Sequence, residues 1–152
     1  MTAPSACEDM MDSIIISTDK AKIDVDYVHA FLVRSYWARS VPRSIVERSL
    51  ENSLCFGVYR NNRQVGFARA ITDYATFAYL ADVFIDPGEQ GKGVGKKLIE
   101  FILHYPQLKN LKRWHLVTLD AQGFYEKFGF RNPEHPNQHM EIRRADVYTR
   151  IE

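Results

Sequence analysis

Residues 90–97 read Gln-Gly-Lys-Gly-Val-Gly-Lys-Lys, the most informative stretch of the chain. Three glycines at alternate positions, Gly91, Gly93 and Gly95, leave backbone N–H groups uncovered by side chains. Apolar residues at helical spacing follow at once (Leu98, Ile99, Ile102, Leu103), so a helix starts here and its free amides and dipole point into the loop. That combination holds an anion, and a pyrophosphate is the natural guest. Lys92, Lys96 and Lys97 add positive charge at the same end. Two better-known phosphate loops do not fit. A Walker loop needs Gly-x4-Gly-Lys-Ser/Thr, but Gly88 and Gly93 are followed by Val94. A dinucleotide loop needs Gly-x-Gly-x-x-Gly, but Gly91-Lys92-Gly93-Val94-Gly95 is followed by Lys96. The bland alternative is a glycine-rich turn that only starts a helix.

A second segment lies about thirty residues on. Thr118-Leu119-Asp120-Ala121-Gln122-Gly123-Phe124-Tyr125-Glu126-Lys127-Phe128-Gly129-Phe130 runs from a strand end into a short helix and out through a glycine. Together the two segments resemble the GNAT superfamily of N-acetyltransferases. In that family a Gln/Arg-x-x-Gly-x-Gly/Ala motif binds the pyrophosphate of acetyl-CoA, and Gln90, Gly93 and Gly95 match it, with Gly91, Lys92, Val94 and Lys96 completing the loop. The later pattern, Ala-x-x-x-Tyr-x-x-x-Gly-Phe, is met by Ala121, Tyr125, Gly129 and Phe130. The strand and proline that precede the loop in relatives are matched by Asp82-Val83-Phe84-Ile85-Asp86-Pro87. The resemblance runs over about residues 13–143. One position departs from it: many relatives carry Asn where this chain has Thr118, a contact to the pantetheine arm for which threonine has less reach.

The resemblance implies transfer of an acetyl group from acetyl-CoA, as cosubstrate, to a primary amine by direct attack in a ternary complex. The amine must be neutral to attack, although a lysine-like amine has a pKa near ~10.4. The oxyanion needs positioned donors and the leaving thiolate a proton. Tyr125 matches the family tyrosine beside the thioester sulfur and is the expected acid; a core tyrosine among Phe124, Phe128 and Phe130 is the competing reading. Backbone N–H groups of Val83, Phe84 and Ile85 are the expected oxyanion and pantetheine partners. Asp82 and Asp73 are the acids nearest the expected site, Asp82 being the catalytic candidate for the base, and strand alternation puts Tyr79 and Ala81 on the face opposite to Asp82 unless a bulge intervenes. Ordered water is the family's other base. The acceptor side is expected to draw on Tyr36, Trp37, Arg39, Tyr74, Phe77 and Tyr79, a set suited to an amine on an apolar body and able to hold a cation over ring faces. The acceptor is read as a small metabolite amine. A protein or peptide amine, a CoA-binding module without activity, and a nucleotide-binding protein using the same loop are the alternatives.

The elements that must position these groups are legible in outline. Ser13–Ser17 is a short β-branched run. Val25, Val28, His29 and Leu32 follow at helical spacing with Asp24 or Asp26 as cap, and Ile45, Val46, Ser49 and Leu50 form a second stripe after Pro42. Strands are expected over 54–60, 64–72 and 77–85, the first two joined by a tight Asn61-Asn62 turn. After the glycine-loop helix come a strand over 114–119, a short helix over 123–128 and a final strand over 140–143. The order β-α-α-β-β-β-α-β-α-β describes an α/β or α+β domain on a mixed, mostly antiparallel sheet flanked by helices, which the resemblance identifies with the GNAT fold.

Composition sets the outer bounds. The 152 residues suit one domain, read as 13–152 behind a loose tail over 1–12. Lys plus Arg number 20 against 19 acids, so no basic excess suggests nucleic acid, and no apolar run of membrane-spanning length occurs. Two cysteines and a start without basic and apolar signal regions point to the cytoplasm, with Cys55 as a small buried hydrophobe. His135 and His139 flank Pro136 and no metal is expected, while His104 and His115 show no evident partner. Relatives of the resembled family are often dimers, so a homodimer is compatible with this chain.

Overall fold

A computed structural model describes residues 13–150; the expected tail over 1–12 lies outside them. Strand β1 (Ile14–Ser17) leads to helices α1 (Val25–Leu32) and α2 (Arg43–Glu51), then to strands β2 (Leu54–Arg60), β3 (Arg63–Thr72) and β4 (Phe77–Ile85). Helix α3 (Val94–Leu103), strand β5 (Arg113–His115), helix α4 (Gln122–Glu126) and the short α5 (Val147–Arg150) complete the order. The sheet runs β1-β2-β3-β4-β5, antiparallel except for the parallel β4–β5 pair.

Local sequence accounts for much of this. Asp24, rather than Asp26, caps α1 by accepting from the Tyr27 N–H at 3.0 Å. Asn61 and Asn62 both take positive φ, 51° and 62°, the backbone that a two-residue hairpin turn between right-twisted strands requires. The apolar stripes of α1 and α2 close one face of the sheet, burying Val28, Leu32, Val46 and Leu50 against Phe67 and Phe84. Helix α3 closes the other with Val94, Leu98, Ile99 and Ile102 over Phe56, Val58, Val65 and Leu80. Cys55 is fully buried, and burial pushes its thiol up to about 11, so it packs as a hydrophobe.

Three expectations change. First, a bulge does intervene in β4. Arg69 pairs with Ala81 and Phe67 with Phe84, so both Asp82 and Val83 stand opposite Ala68 alone, and Asp82 takes a φ of 52°. The extra residue turns Asp82 to the face of its neighbour Ala81, and hence of Tyr79, instead of the opposite one. Second, β5 stops at His115, short of the expected 119, because the chain diverges from β4 there; the ladder pairs only Phe77–Tyr79 with Arg113–His115. The following helix is correspondingly offset, at Gln122–Glu126. Third, residues 140–143, expected as a strand, have the alternation of one but no ladder partner among the described residues, and run as exposed irregular chain.

Candidate active site

The divergence of β4 from β5 makes the site. Beyond Tyr79 the strand remains paired to β3 on one side, while on the other its backbone N–H and C=O groups, through Val83, Phe84 and Ile85, have no strand neighbour among the described residues. Unpaired strand edge is a template for another extended chain. The Phe84 side chain itself is core, stacked on Phe31 at 3.8 Å.

At the end of β4 a tight turn, Pro87–Glu89, delivers the chain into the glycine loop. Gly91 and Gly93 take φ of 78° and 79°, a backbone that other residues adopt only with strain, and Gly93 is the N-cap of α3. Among the described residues no side chain caps α3, so its first amides stay free for an anion. Gln90 does not line this cradle by its amide; its Nε2 donates to the Ile85 carbonyl at 3.3 Å and ties the loop to the strand end. The base of the loop is anchored by a residue the sequence reading did not single out. Glu89 is buried and receives Arg60 from β2 through Nε at 3.1 Å and Nη2 at 3.0 Å, with Lys92 Nζ at 3.8 Å. The Arg60 hydrogen bonds hold its carboxyl below the usual range. Lys96 pairs loosely with Glu100 at 4.0 Å and stays exposed.

At the bulge, Asp82 accepts from Arg69 Nε at 2.6 Å and from Trp37 Nε1 at 2.8 Å. Both carboxylate oxygens are thus engaged, and Arg69 also donates to Ser53 Oγ at 3.0 Å. Trp37 meets Tyr36 edge-on at 5.1 Å, and the Tyr36 hydroxyl accepts the Leu119 N–H at 3.2 Å. The α1–α2 loop therefore reaches both β4 and the chain that continues from β5, across the divergence. Tyr125 completes this group from α4. It is largely buried against Phe124 and Phe130, and its hydroxyl has no hydrogen-bond partner among the described residues. Burial, with Tyr36 adding to it, pushes Tyr125 up to about 12, so its hydroxyl keeps its proton at neutral pH. Helix α4 is held short by Gly129: the Phe130 N–H bonds the Tyr125 carbonyl and the Gly129 N–H that of Glu126, with φ 98° at the glycine. Thr118 Oγ1 accepts the Ala121 N–H at 3.1 Å and so builds the turn into α4.

The other expected residues divide. Tyr79 is brought in, facing Asp82 and stacked on His115 at 5.6 Å. Tyr74 is not; it sits half-exposed in the β3–β4 turn with φ 61° and makes no hydrogen bond or ring contact to the group. Asp73 builds that turn, accepting the N–H groups of Ala75, Thr76 and Phe77 and the Thr76 hydroxyl, which hold its carboxyl far below the usual range. His115 shows no evident partner in the sequence, yet β5 register stacks it on Tyr79 and His139, at 5.6 and 6.1 Å. Burial, then His139, lower its pKa, so its imidazole is neutral near pH 7. A cleft of about 680 Å³ opens beside this group, lined by Tyr27, Phe31, Arg34, Tyr36, Trp37 and Asp86 among others. Among the described residues no cluster of His, Cys, Asp and Glu could hold a metal ion, and no helix is long and apolar enough to cross a membrane.

Comparison with known proteins adds to this geometry. A family model described as an acetyltransferase (GNAT) domain matches residues 51–132. A Gibberella zeae protein named as an acetyltransferase, FG08082, is 33% identical over 134 residues, which are 74% of this chain and 76% of that one. The Glycine max protein named histone acetyltransferase TAP1 is 31% identical over 137 residues, and the match spans 79% of this chain but only 58% of the soybean protein. The crystal structure of a protein from Xanthomonas campestris pv. campestris assigned to the GNAT family superposes with a TM-score of 0.88 at 41% identity, covering 91% of this chain and 99% of that one.

Proposed function

The chain belongs to the GNAT acetyltransferase family and is an acyltransferase, and from that premise we propose that it transfers the acetyl group of acetyl-CoA to a primary amine of a small molecule, by direct attack with both substrates bound. The observation that carries the reading is the one-sided edge of β4, which runs from an uncapped, glycine-lined helix N-terminus to a buried tyrosine with a free hydroxyl.

These residues fit acetyl-CoA. The amides of the loop from Gly91 to Gly95 and the start of α3 suit its pyrophosphate, with Lys92 and Lys96 adding charge and Gln90 holding the loop to β4. Val83, Phe84 and Ile85 offer extended backbone to the pantetheine arm. The cosubstrate supplies the acetyl group as a thioester. A strand N–H of this edge receives charge building on the carbonyl oxygen, and the Tyr125 hydroxyl hands its proton to the departing sulfur. Thr118, committed to the turn before α4, acts by placing that helix.

On the acceptor side, Asp82 serves by holding Trp37 in place, since both its oxygens already accept donors. His115 is a neutral imidazole on the same face and keeps its lone pair, so it is the side chain there that can take the amine's proton, directly or through water. Tyr36, Trp37 and Tyr79 supply the acceptor's apolar walls, with Tyr74 at most an outlying contact. These aromatic rings, beside a carboxylate already neutralised by Arg69, suit a compact amine on an apolar body. The soybean relative's name gives the second reading, a protein amine; a basic peptide would meet Arg34 at the cleft.

The test is release of free thiol from acetyl-CoA against a panel of small amines and a basic peptide. Turnover with small amines is expected. Turnover with the peptide alone would replace the small-molecule reading, and stabilisation in a thermal melt by ATP or NAD but not acetyl-CoA would overturn the cosubstrate.

A further inference from the structure

The two aromatic rings at the tip of the α1–α2 loop are exposed and yet tied down. Tyr36 is 58% and Trp37 40% exposed. Each is pinned at its polar end, Tyr36 by the Leu119 N–H and Trp37 by the Asp82 carboxylate. The residue before them fixes the loop from within: Ser35 is buried, its hydroxyl donating to the Leu32 carbonyl at 2.7 Å and accepting the Ala38 N–H at 3.1 Å. The ring faces are thus held open to solvent in one orientation, where they add nothing to the core. Rings held in that way suit a ligand that covers them.

Arg34, which lines the same cleft, is held too. Its Nε donates to the Ala30 carbonyl, one turn back along α1, at 3.0 Å. An arginine on the last carbonyls of its own helix is a common way to end one, but here the bond takes Nε alone. Neither Nη has a hydrogen-bond or ion-pair partner among the described residues, and the side chain is exposed. With Nε committed, the free end of the guanidinium offers two parallel N–H groups, the match for the two oxygens of a carboxylate. The carboxylates nearby are already engaged. Asp82 has Arg69 and Trp37, and Asp86, the other charged residue lining the cleft, accepts the Tyr27 hydroxyl at 2.6 Å. One guanidinium beside one hydrogen-bonded carboxylate suits a ligand with a single negative charge. A phosphate monoester, with about two charges at neutral pH, suits it less.

We infer that the acceptor is an aminocarboxylate: Arg34 takes its carboxylate in a bidentate pair, Tyr36 and Trp37 cover its apolar body, and its amine lies at the divergence of β4 and β5. The rings lead from one place to the other, since Trp37 ends on the β4 bulge and Tyr36 on the chain beyond β5. Arg34 sets specificity and touches no reacting atom. This deepens the reading of the protein as a small-amine acetyltransferase and rests on it. It also counts against a basic peptide, which a free guanidinium at the cleft repels.

The test follows thiol release from acetyl-CoA with aminocarboxylates whose apolar bodies differ in length, each beside its own carboxamide and its phosphonate analogue. Wild type, Arg34→Gln and Arg34→Lys are compared. In the best wild-type pair the carboxylate is expected to exceed the carboxamide in kcat/KM by about tenfold or more. In Arg34→Gln the pair should come level with KM for acetyl-CoA unchanged, and Arg34→Lys, a point charge without the fork, should keep part of the preference. An arginine that only ended α1 would lower the melting temperature on substitution and leave the carboxylate-to-carboxamide ratio where it was, which overturns the inference. A wild type that treats the pairs alike, or favours carboxamides or phosphonates, overturns it without any variant. So does an Arg34→Gln chain that raises KM for acetyl-CoA and keeps the ratio. Turnover of uncharged amines and carboxamides alone would sink the inference and leave the small-amine reading standing, whereas no thiol release with any small amine would remove both.

Discussion

Two largely buried arginine–carboxylate pairs lie along the same strand, Arg60 with Glu89 just past the C-terminal end of β4 and Arg69 with Asp82 at its bulge. Their geometry is alike, 3.0 and 2.6 Å, and what they support differs. Glu89 steadies a loop whose working parts are backbone amides. Asp82 spends its second oxygen on Trp37, and through Trp37 it steadies a set of side chains that meet across the divergence of β4 and β5. A backbone site needs glycines at fixed local intervals. A side-chain site needs residues far apart in sequence and leaves no such interval behind. Tyr125 stands where the two regions meet, so substitutions can ask which end each residue serves.

The largest effect is expected at that junction. Tyr125→Phe keeps the ring packing on Phe124 and Phe130 and removes the hydroxyl. Loss of a general acid predicts a fall in kcat of about a hundredfold or more, with little change in KM for either substrate. Because burial raises the Tyr125 pKa to about 12, the protonated, donating form persists well into the alkaline range. The wild-type rate should therefore show no alkaline decline attributable to this group below about pH 11, one pH unit short of that value. Unchanged kcat in the phenylalanine variant would remove the assignment.

Next comes the acceptor end. Arg69→Met strips one partner from a largely buried pair and leaves Asp82 with Trp37 alone. An uncompensated buried charge costs about 3 kcal/mol of stability, measurable as a lower denaturant midpoint. The comparison predicts a selective kinetic result as well, a rise of roughly tenfold in KM for the amine, about 1.4 kcal/mol, and none in KM for acetyl-CoA. Equal rises in both would mean that the two ends do not work separately.

The contrast between backbone and side-chain sites also explains what could be read from sequence. The glycine loop, the Asp24 cap and the Asn61-Asn62 turn are visible because each is a local backbone requirement met by neighbouring residues. Tyr36, Trp37 and Tyr79 could be proposed as acceptor residues by type and region, but Tyr74 could not be told from them, since its removal from the group depends on how Asp73 folds the β3–β4 turn. The Arg60–Glu89 and Arg69–Asp82 pairs join residues 29 and 13 positions apart, and no spacing rule marks them. The bulge at Asp82 is one residue of register against β3, invisible to alternation, and it reverses the face that alternation assigns. His115 has no partner legible in the sequence because its ring contacts come from β4 and from the segment after α4. Residues 140–143 mark another boundary: their strand pattern is legible, whereas the lack of a ladder partner among the described residues is a property of the whole sheet.

At the loop end the expected effect is smaller, because amides rather than the carboxylate would meet the ligand. Glu89→Gln should raise KM for acetyl-CoA several-fold and leave KM for the amine alone. A pH series sharpens this. Arg60 hydrogen bonds hold the Glu89 carboxyl below its ordinary value, so the stabilisation is present above the unfolded pKa of about 4.3 and is lost as pH falls through the lower folded value. The difference in unfolding midpoint between wild type and variant should be full at pH 7 and shrink in acid. A gap of equal size at pH 7 and pH 3 would show that the carboxylate's charge is not what holds the loop.

The smallest effect is expected at Lys96, and its sign is the informative part. It is the third residue of α3, in the first turn, where the helix dipole disfavours a cation by a few tenths of a kcal/mol. Its ion-pair partner among the described residues, Glu100 at 4.0 Å, is exposed, one helical turn on, and adds little. Replacing it by methionine should therefore leave stability unchanged or slightly raised. If the helix N-terminus receives a polyanion, the same change removes one attractive charge, and KM for acetyl-CoA should rise about two- to threefold at low salt. That rise should fade as ionic strength approaches 1 M, where the screening length drops to about 3 Å. Stability and affinity moving in opposite directions is the outcome that distinguishes a lysine kept for a ligand from one kept for the helix. A variant that loses stability and keeps its KM would place Lys96 with the fold and leave the loop's amides to hold the anion unaided.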